Sequence, residues 1–138
     1  MNIFQRLFEK KSIPATGKLG EDAAAAFLRK KGYRILKQNY RSGKNEIDII
    51  AQEREFIVFI EVKTRTQSIE AQSPWGRPAR AVNAHKRRCL VTAAKNYVRR
   101  GEPGCRYRFD VIEVYLAKNK RIEKIHHIER AFIAETIY

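Results

Sequence analysis

The chain has 138 residues, 43% of them apolar, which fits one domain with a single core and excludes wholesale disorder. Its 29 basic residues against 15 acidic ones give a net charge of +14, which points to a polyanionic partner, most often nucleic acid. No apolar run approaches the roughly 20 residues that a membrane-spanning helix needs, so no membrane association is expected.

In chain order, residues 1–15 read as a lead-in ending near Pro14, followed by a single domain over 16–138. The opening MNIFQRLFEKK is basic but lacks a continuous apolar core and a small-residue cleavage site, so it is not expected to be a signal peptide. Thr16 is a candidate N-cap, and GKLGEDAAAAFLRKKG predicts a helix that Gly32 stops, with Ala24, Phe27, Leu28 and Lys31 on its inward stripe. Tyr33–Arg41 predicts a first strand, Ser42–Asn45 a turn containing Gly43, and Glu46–Gln52 and Phe56–Arg65 a second and third strand joined around Arg54. Thr66–Arg77, with Pro74, Trp75 and Gly76, reads as a long loop, and loops of that length are often functional. Pro78 suits the first turn of a second helix running to about Arg100. Phe109–Leu116 predicts a fourth strand and Ile122–Ile128 a fifth. The order α-β-β-β-α-β-(β) makes this an α/β chain with a hairpin-rich sheet covered by helices. Cys89 and Cys105 form no C-x-x-C pair, and His85, His126 and His127 have no zinc-like spacing with them, so reduced thiols in a cytoplasmic protein are expected.

The stretch NEIDIIAQEREFIVFIEVKTR places Glu46, Asp48, Glu61 and Lys63 among isoleucines and valines. In regular strands Glu46, Asp48 and Ile50 share one face, and so do Ile57, Phe59, Glu61, Lys63 and Arg65. A two-residue turn at Arg54–Glu55 sets Asp48 opposite Glu61 and Glu46 opposite Lys63, with all four on one face. Facing carboxylates repel, and a divalent cation would reverse the sign of that interaction. The competing reading is a solvated sheet face with Glu46–Lys63 as an ordinary salt bridge. Glu21 falls on the inward side of the first helix, where a favourable interaction with the helix N-terminus is the alternative role. Lys86 interrupts the apolar stripe of the second helix between Val82 and Leu90, either reaching the charged end of the sheet or snorkelling at the core edge.

Asp48, twelve residues, then Glu61-Val62-Lys63 looks like the D…ExK core of restriction-endonuclease-like nucleases, and GKLGED around Glu21 is similar to archaeal Holliday-junction resolvases. GKLGEDAAAAFLRKKGYRILKQNYR, NEIDIIA, FIEVKTR, the Lys86 helix and RFDVIEV together resemble the bacterial YraN-like family of small predicted nucleases, from Gly17 to Val114. That family usually has glycine just before the acid equivalent to Glu46, where this chain has Asn45, with glycine at Gly43. The resemblance implies a restriction-endonuclease-like mixed sheet of four to five strands flanked by helices. It implies that Asp48 and Glu61 bind Mg2+ or Mn2+ with help from the Val62 carbonyl, that Lys63 orients or activates water, that Glu21 completes the acidic cluster, and that Glu46 is an adjunct.

The expected function is therefore metal-dependent endonucleolytic hydrolysis of DNA, including branched or otherwise structured DNA, with electrostatic stabilisation assigned to Lys63 in preference to a general-base role. Arg65, Lys86 and Arg87 would hold the nucleic-acid backbone, with Arg88, Lys95, Arg99 and Arg100 as further basic candidates. Trp75 would stack on a base, or else clasp the loop to the body. The alternative is a non-catalytic nucleic-acid-binding module of nuclease fold in a DNA-processing complex. A homodimer through a sheet edge or helix would suit a two-stranded substrate.

Overall fold

The computed structural model describes residues 16–66, 82–99 and 104–134. They form α1 (Thr16–Lys30), β1 (Arg34–Ser42), β2 (Asn45–Glu53), β3 (Phe56–Arg65), α2 (Ala84–Val98), β4 (Arg106–Leu116) and β5 (Ile122–Phe132). This is the expected element order, with β5 running past Ile128. The five strands form one mixed sheet in the order β1-β2-β3-β4-β5, antiparallel except for the parallel β3–β4 pair that α2 connects. Among the described residues, no helix is long and apolar enough to cross a membrane.

Both sheet faces are buried. Ala24, Ala25 and Leu28 of α1 pack on Ile49, Ala51, Val58, Ile60, Ile112, Val114 and Leu116. Leu90, Ala93 and Ala94 of α2 pack on Ile47, Ile50, Ile57, Phe59, Phe109 and Val111. Successive β3 residues thus enter opposite cores, which is why FIVFI reads as an unbroken apolar run rather than an alternation.

Local signals account for most boundaries. Gly32 (φ +91°) ends α1 with its N–H donating to the Arg29 carbonyl and the Tyr33 N–H donating to the Leu28 carbonyl, a Schellman pattern. Thr16 is the first helical residue rather than a cap outside it. The β2–β3 turn is the two-residue Arg54–Glu55 connection, and its pairs run from Glu53↔Phe56 to Ile49↔Ile60 in the expected register. Arg54 takes the left-handed angle (φ +52°) that glycine usually supplies. At the β1–β2 turn the left-handed residue is Gly43 (φ +60°), and Asn45 pairs with Ser42 in the ladder. α2 does not extend unbroken from Pro78. Asn83 is an extended N-cap whose side chain accepts from the Lys86 N–H at 2.8 Å, while residues 67–81, Pro78 and most of the expected Thr66–Arg77 loop among them, lie outside the described residues. An asparagine cap satisfies one of the helix's orphan N–H groups directly, which a proline start cannot do.

A buried polar network ties β4 to its neighbours. Arg108 donates to both Asp110 oxygens, to Glu53 Oε2 and to the Tyr33 hydroxyl, and Asp110 also meets His127 Nε2 at 2.7 Å and the Arg130 N–H at 3.0 Å. Burial disfavours the Asp110 carboxylate, but His127, Arg108 and the Arg130 N–H outweigh it and hold its pKa below the usual range.

Gly20 sets the distance between α1 and the sheet. A Cβ there would lie 1.8 Å from Thr64 Oγ1 and 3.0 Å from Thr64 Cβ. Gly20→Ala is therefore expected to lose about 1–3 kcal/mol to overpacking, more than alanine's helix propensity returns. Urea denaturation measures this. Thr64→Ala in the same chain should recover part of the loss, and full stability of Gly20→Ala alone would show that α1 is not seated on β3 as described.

Candidate functional site

The β2–β3 ladder stops at Ile49↔Ile60, one residue short of Asp48 and Glu61. Beyond it the Val62 N–H donates to Asp48 Oδ2 at 2.7 Å, so a side chain takes the place of a strand carbonyl. Alternation slips at the same point. Ile47 lies in the α2-side core, whereas Ile49 and Ala51 lie in the α1-side core. The expectation that all four ionisable groups share one face is corrected here. Strict alternation fails because the Asp48 carboxylate turns into the opening between the strands to reach Val62.

The charged groups therefore form two linked sets. On the α1 side, Glu21, Glu46 and Asp48 each bring a carboxylate oxygen within 4.8 Å of the others. Asn39 of β1 joins them. With its amide nitrogen turned toward the carboxylates, as the hydrogen-bonding surroundings require, it donates to Glu21 Oε2 at 2.9 Å and to Glu46 Oε1 at 3.0 Å. On the α2 side, Glu61 Oε1 lies 3.7 Å from Lys63 Nζ and 3.6 Å from Lys86 Nζ. The predicted Glu46–Lys63 pair does not form. Glu46 instead lies 4.0 Å from Arg41, because the slip at Asp48 puts Glu46 on the α1 side and Lys63 remains on the other.

Asp48 joins the two sets. Its charge acts on both Glu21 and Glu61, and Lys86 attracts it. Burial is the largest influence on all three acids. It raises the pKa of Glu21, with Asp48 and Glu46 adding repulsion, and raises that of Asp48 despite the Val62 N–H and Lys86. Glu61 is pushed up to about 7 by burial and then by Asp48, with Lys86 and Lys63 opposing. Glu61 Oε2 is buried with no hydrogen-bond partner. Converging hard oxygen donors that repel one another are the kind of ligand set that divalent cations of the magnesium or manganese type take. Among the described residues, Glu21, Glu46 and Asp48 lie close enough together to hold one, with the unpaired Glu61 Oε2 in the adjoining set.

Other sequence-predicted residues fall elsewhere. Arg65 is half-buried, with an unpartnered Nε. Arg87 is exposed and lines, with Arg88, Lys95, Val91 and Phe132, a groove of about 510 Å³ between α2 and the end of β5. Trp75 and Arg100 lie outside the described residues. Sequence reasoning missed Asn39, whose left-handed backbone (φ +53°) is invisible in YRILKQNYR. It also missed Glu113, which is fully buried and bonded to Tyr115 Oη at 3.0 Å and His126 Nδ1 at 2.9 Å. The acid inside VIEVYL was the available signal for Glu113.

The family model described as uncharacterised protein family UPF0102 matches residues 20–114. The chain belongs to the UPF0102 family, which is the YraN-like family of the sequence resemblance. A UPF0102 protein of Chloroherpeton thalassium is 45% identical over 125 residues, covering 86% of this chain and 93% of its own. One of Caldanaerobacter subterraneus subsp. tengcongensis is 42% identical over 130 residues, covering 90% and 99%. One of Alkaliphilus metalliredigens is 45% identical over 117 residues, covering 84% and 96%. The matched UPF0102 segment includes Glu21, Asn39, Glu46, Asp48, Glu61, Lys63 and Lys86.

Glu61 gives this UPF0102 protein a defined pH signature. Its raised pKa means that the native state holds this proton more tightly than the unfolded chain does. Its contribution to stability is thus complete below 4.5 and is lost as pH rises through about 7. In metal-free protein, the stability of Glu61→Gln relative to the parent should rise by on the order of 2 kcal/mol between mildly acidic and mildly alkaline pH. Urea denaturation at the two pH values tests this, and a difference that stays constant would remove Glu61 as a buried, repelled carboxylate.

Proposed function

We propose that this UPF0102 protein is a metal-dependent DNA endonuclease. The observation that carries the reading is the convergence of Glu21, Glu46 and Asp48 beside Glu61, whose Oε2 is buried without a partner, in a chain of net charge +14. Glu21, Glu46, Asp48 and Glu61 would hold Mg2+ or Mn2+, and the Val62 carbonyl is the backbone donor that the family motif adds. When bound, the cation supplies charge stabilisation at the phosphoryl group and acidifies a water for attack.

The chain's own residues do the rest. Asp48, fixed by the Val62 N–H, holds the acid cluster at the mouth of the β2–β3 opening. Lys63 keeps its Nζ 3.7 Å from Glu61 with its side chain 27% exposed, so its ammonium can meet negative charge developing on a phosphodiester. Lys86 shares that carboxylate from α2, and Arg65 and Arg87 extend positive charge for the flanking backbone. Trp75 is proposed to contact a base.

One observation favours a second reading. Glu61 already has two lysines beside it, an arrangement that also suits a structural ion-pair cluster in a non-catalytic nucleic-acid-binding module. Linear, flapped and four-way DNA, each incubated with Mg2+ or Mn2+, decides between them. The parent is expected to cut at least one substrate, and Asp48→Asn, which can still accept from Val62, to lose at least about 100-fold in rate. Salt-sensitive binding without cleavage would favour the module, and equal cutting by Asp48→Asn would end the nuclease reading.

A further inference from the structure

Asn39 occupies an unusual place in the acid cluster. It lies within β1 between the pairs Gln38↔Ile49 and Tyr40↔Ile47, and therefore opposite Asp48. Its backbone is left-handed (φ +53°), a conformation that asparagine tolerates better than most residues. There its exposed side chain reaches two carboxylates from different elements at once, Glu21 of α1 and Glu46 of β2. Two N–H donors shared between two anions offset part of the burial and repulsion that raise the pKa of Glu21, and Asn39 is the group that lowers it.

An asparagine amide has a second end. Its Oδ1 is nearly isosteric with Nδ2, and half a turn about the Cβ–Cγ bond exchanges them. That terminal torsion is soft. Once turned, the oxygen faces the same carboxylates that the nitrogen now serves. Amide carbonyl oxygens are ordinary ligands of hard divalent cations.

We propose that Asn39 is a two-way ligand of the cation site. Without a bound cation its Nδ2 donates to Glu21 and Glu46 and holds the acids together. With a divalent cation the amide turns and Oδ1 joins the carboxylates as an oxygen ligand. This rests on reading the cluster as a cation site. It adds to that reading a neutral ligand from an edge strand that lies outside the D…ExK motif.

Calorimetric Mn2+ titration and thermal unfolding in EDTA and in Mn2+ test the proposal on the full chain, with parent, Asn39→Gly and Asn39→Asp. Glycine keeps the left-handed backbone and removes both ends of the amide. Its Mn2+ affinity is expected to fall about tenfold. Aspartate adds a further carboxylate and removes the donors, so its unfolding temperature should fall in EDTA and its rise on Mn2+ addition should exceed the parent's. If the Asp variant does not fold in EDTA, rescue by Mn2+ is the expected result. If the parent binds Mn2+ and Asn39→Gly binds it equally well, Asn39 is only a backbone turn and the proposal is overturned. A parent that binds no Mn2+ overturns the cation-site reading itself, and this proposal with it.

Discussion

Beyond Ile49 and Ile60 a continued antiparallel ladder would set Val62 against Ile47, and the Val62 N–H would go to a backbone carbonyl. It goes to Asp48 Oδ2 instead. A buried N–H must have an acceptor, so the substitution lets β2 and β3 part without leaving the donor orphaned. The opening is where the site sits. It lies between the faces of the sheet, which is why α1 delivers Glu21 from one side and α2 delivers Lys86 from the other. Were the ladder to continue, Glu21 and Lys86 would face opposite surfaces of a closed sheet.

The site is held against its own electrostatics. Burial disfavours the Glu21, Asp48 and Glu61 carboxylates, and Asp48 repels both Glu21 and Glu61. Asn39, Lys63 and Lys86 offset part of this but leave Glu61 Oε2 unpaired. The remainder of the fold must supply the rigidity that keeps the acids together. Two apolar cores clamp the sheet from both faces, and the Arg108–Asp110–His127 network locks β4 to β5 and to the far end of β2. Stability is thus concentrated away from the acid cluster, a common arrangement where mutually repelling groups are held together.

Much of this was legible in the chain. The Arg54–Glu55 turn fixed the β2–β3 register, because a two-residue connection allows only one pairing count. Helix phase put Glu21 and Lys86 near the charged end of the sheet, since residues three and four apart share a helix face. What strand parity misjudged was the face. Parity assumes an uninterrupted pleat, and Asp48 breaks it, so Glu46 parts from Lys63 and meets Arg41 and Asn39 instead. The start of α2 was misplaced for a related reason. A proline permits a first turn, but the Asn83 side chain supplies the acceptor that begins this helix.

The sequence by itself determined the element order, the family, the turn register and which ionisable residues gather near the charged end of the sheet. These depend on contacts between near neighbours and on periodicity, which are written along the chain. Only the tertiary structure decided that the acids divide into two sets joined at Asp48, that Asn39 closes one of them, and that Lys86 reaches Glu61. Those facts depend on where two strands stop pairing and on how two helices seat against opposite faces. Such choices are made by packing and hydrogen-bond satisfaction across the whole domain, and no local pattern records them.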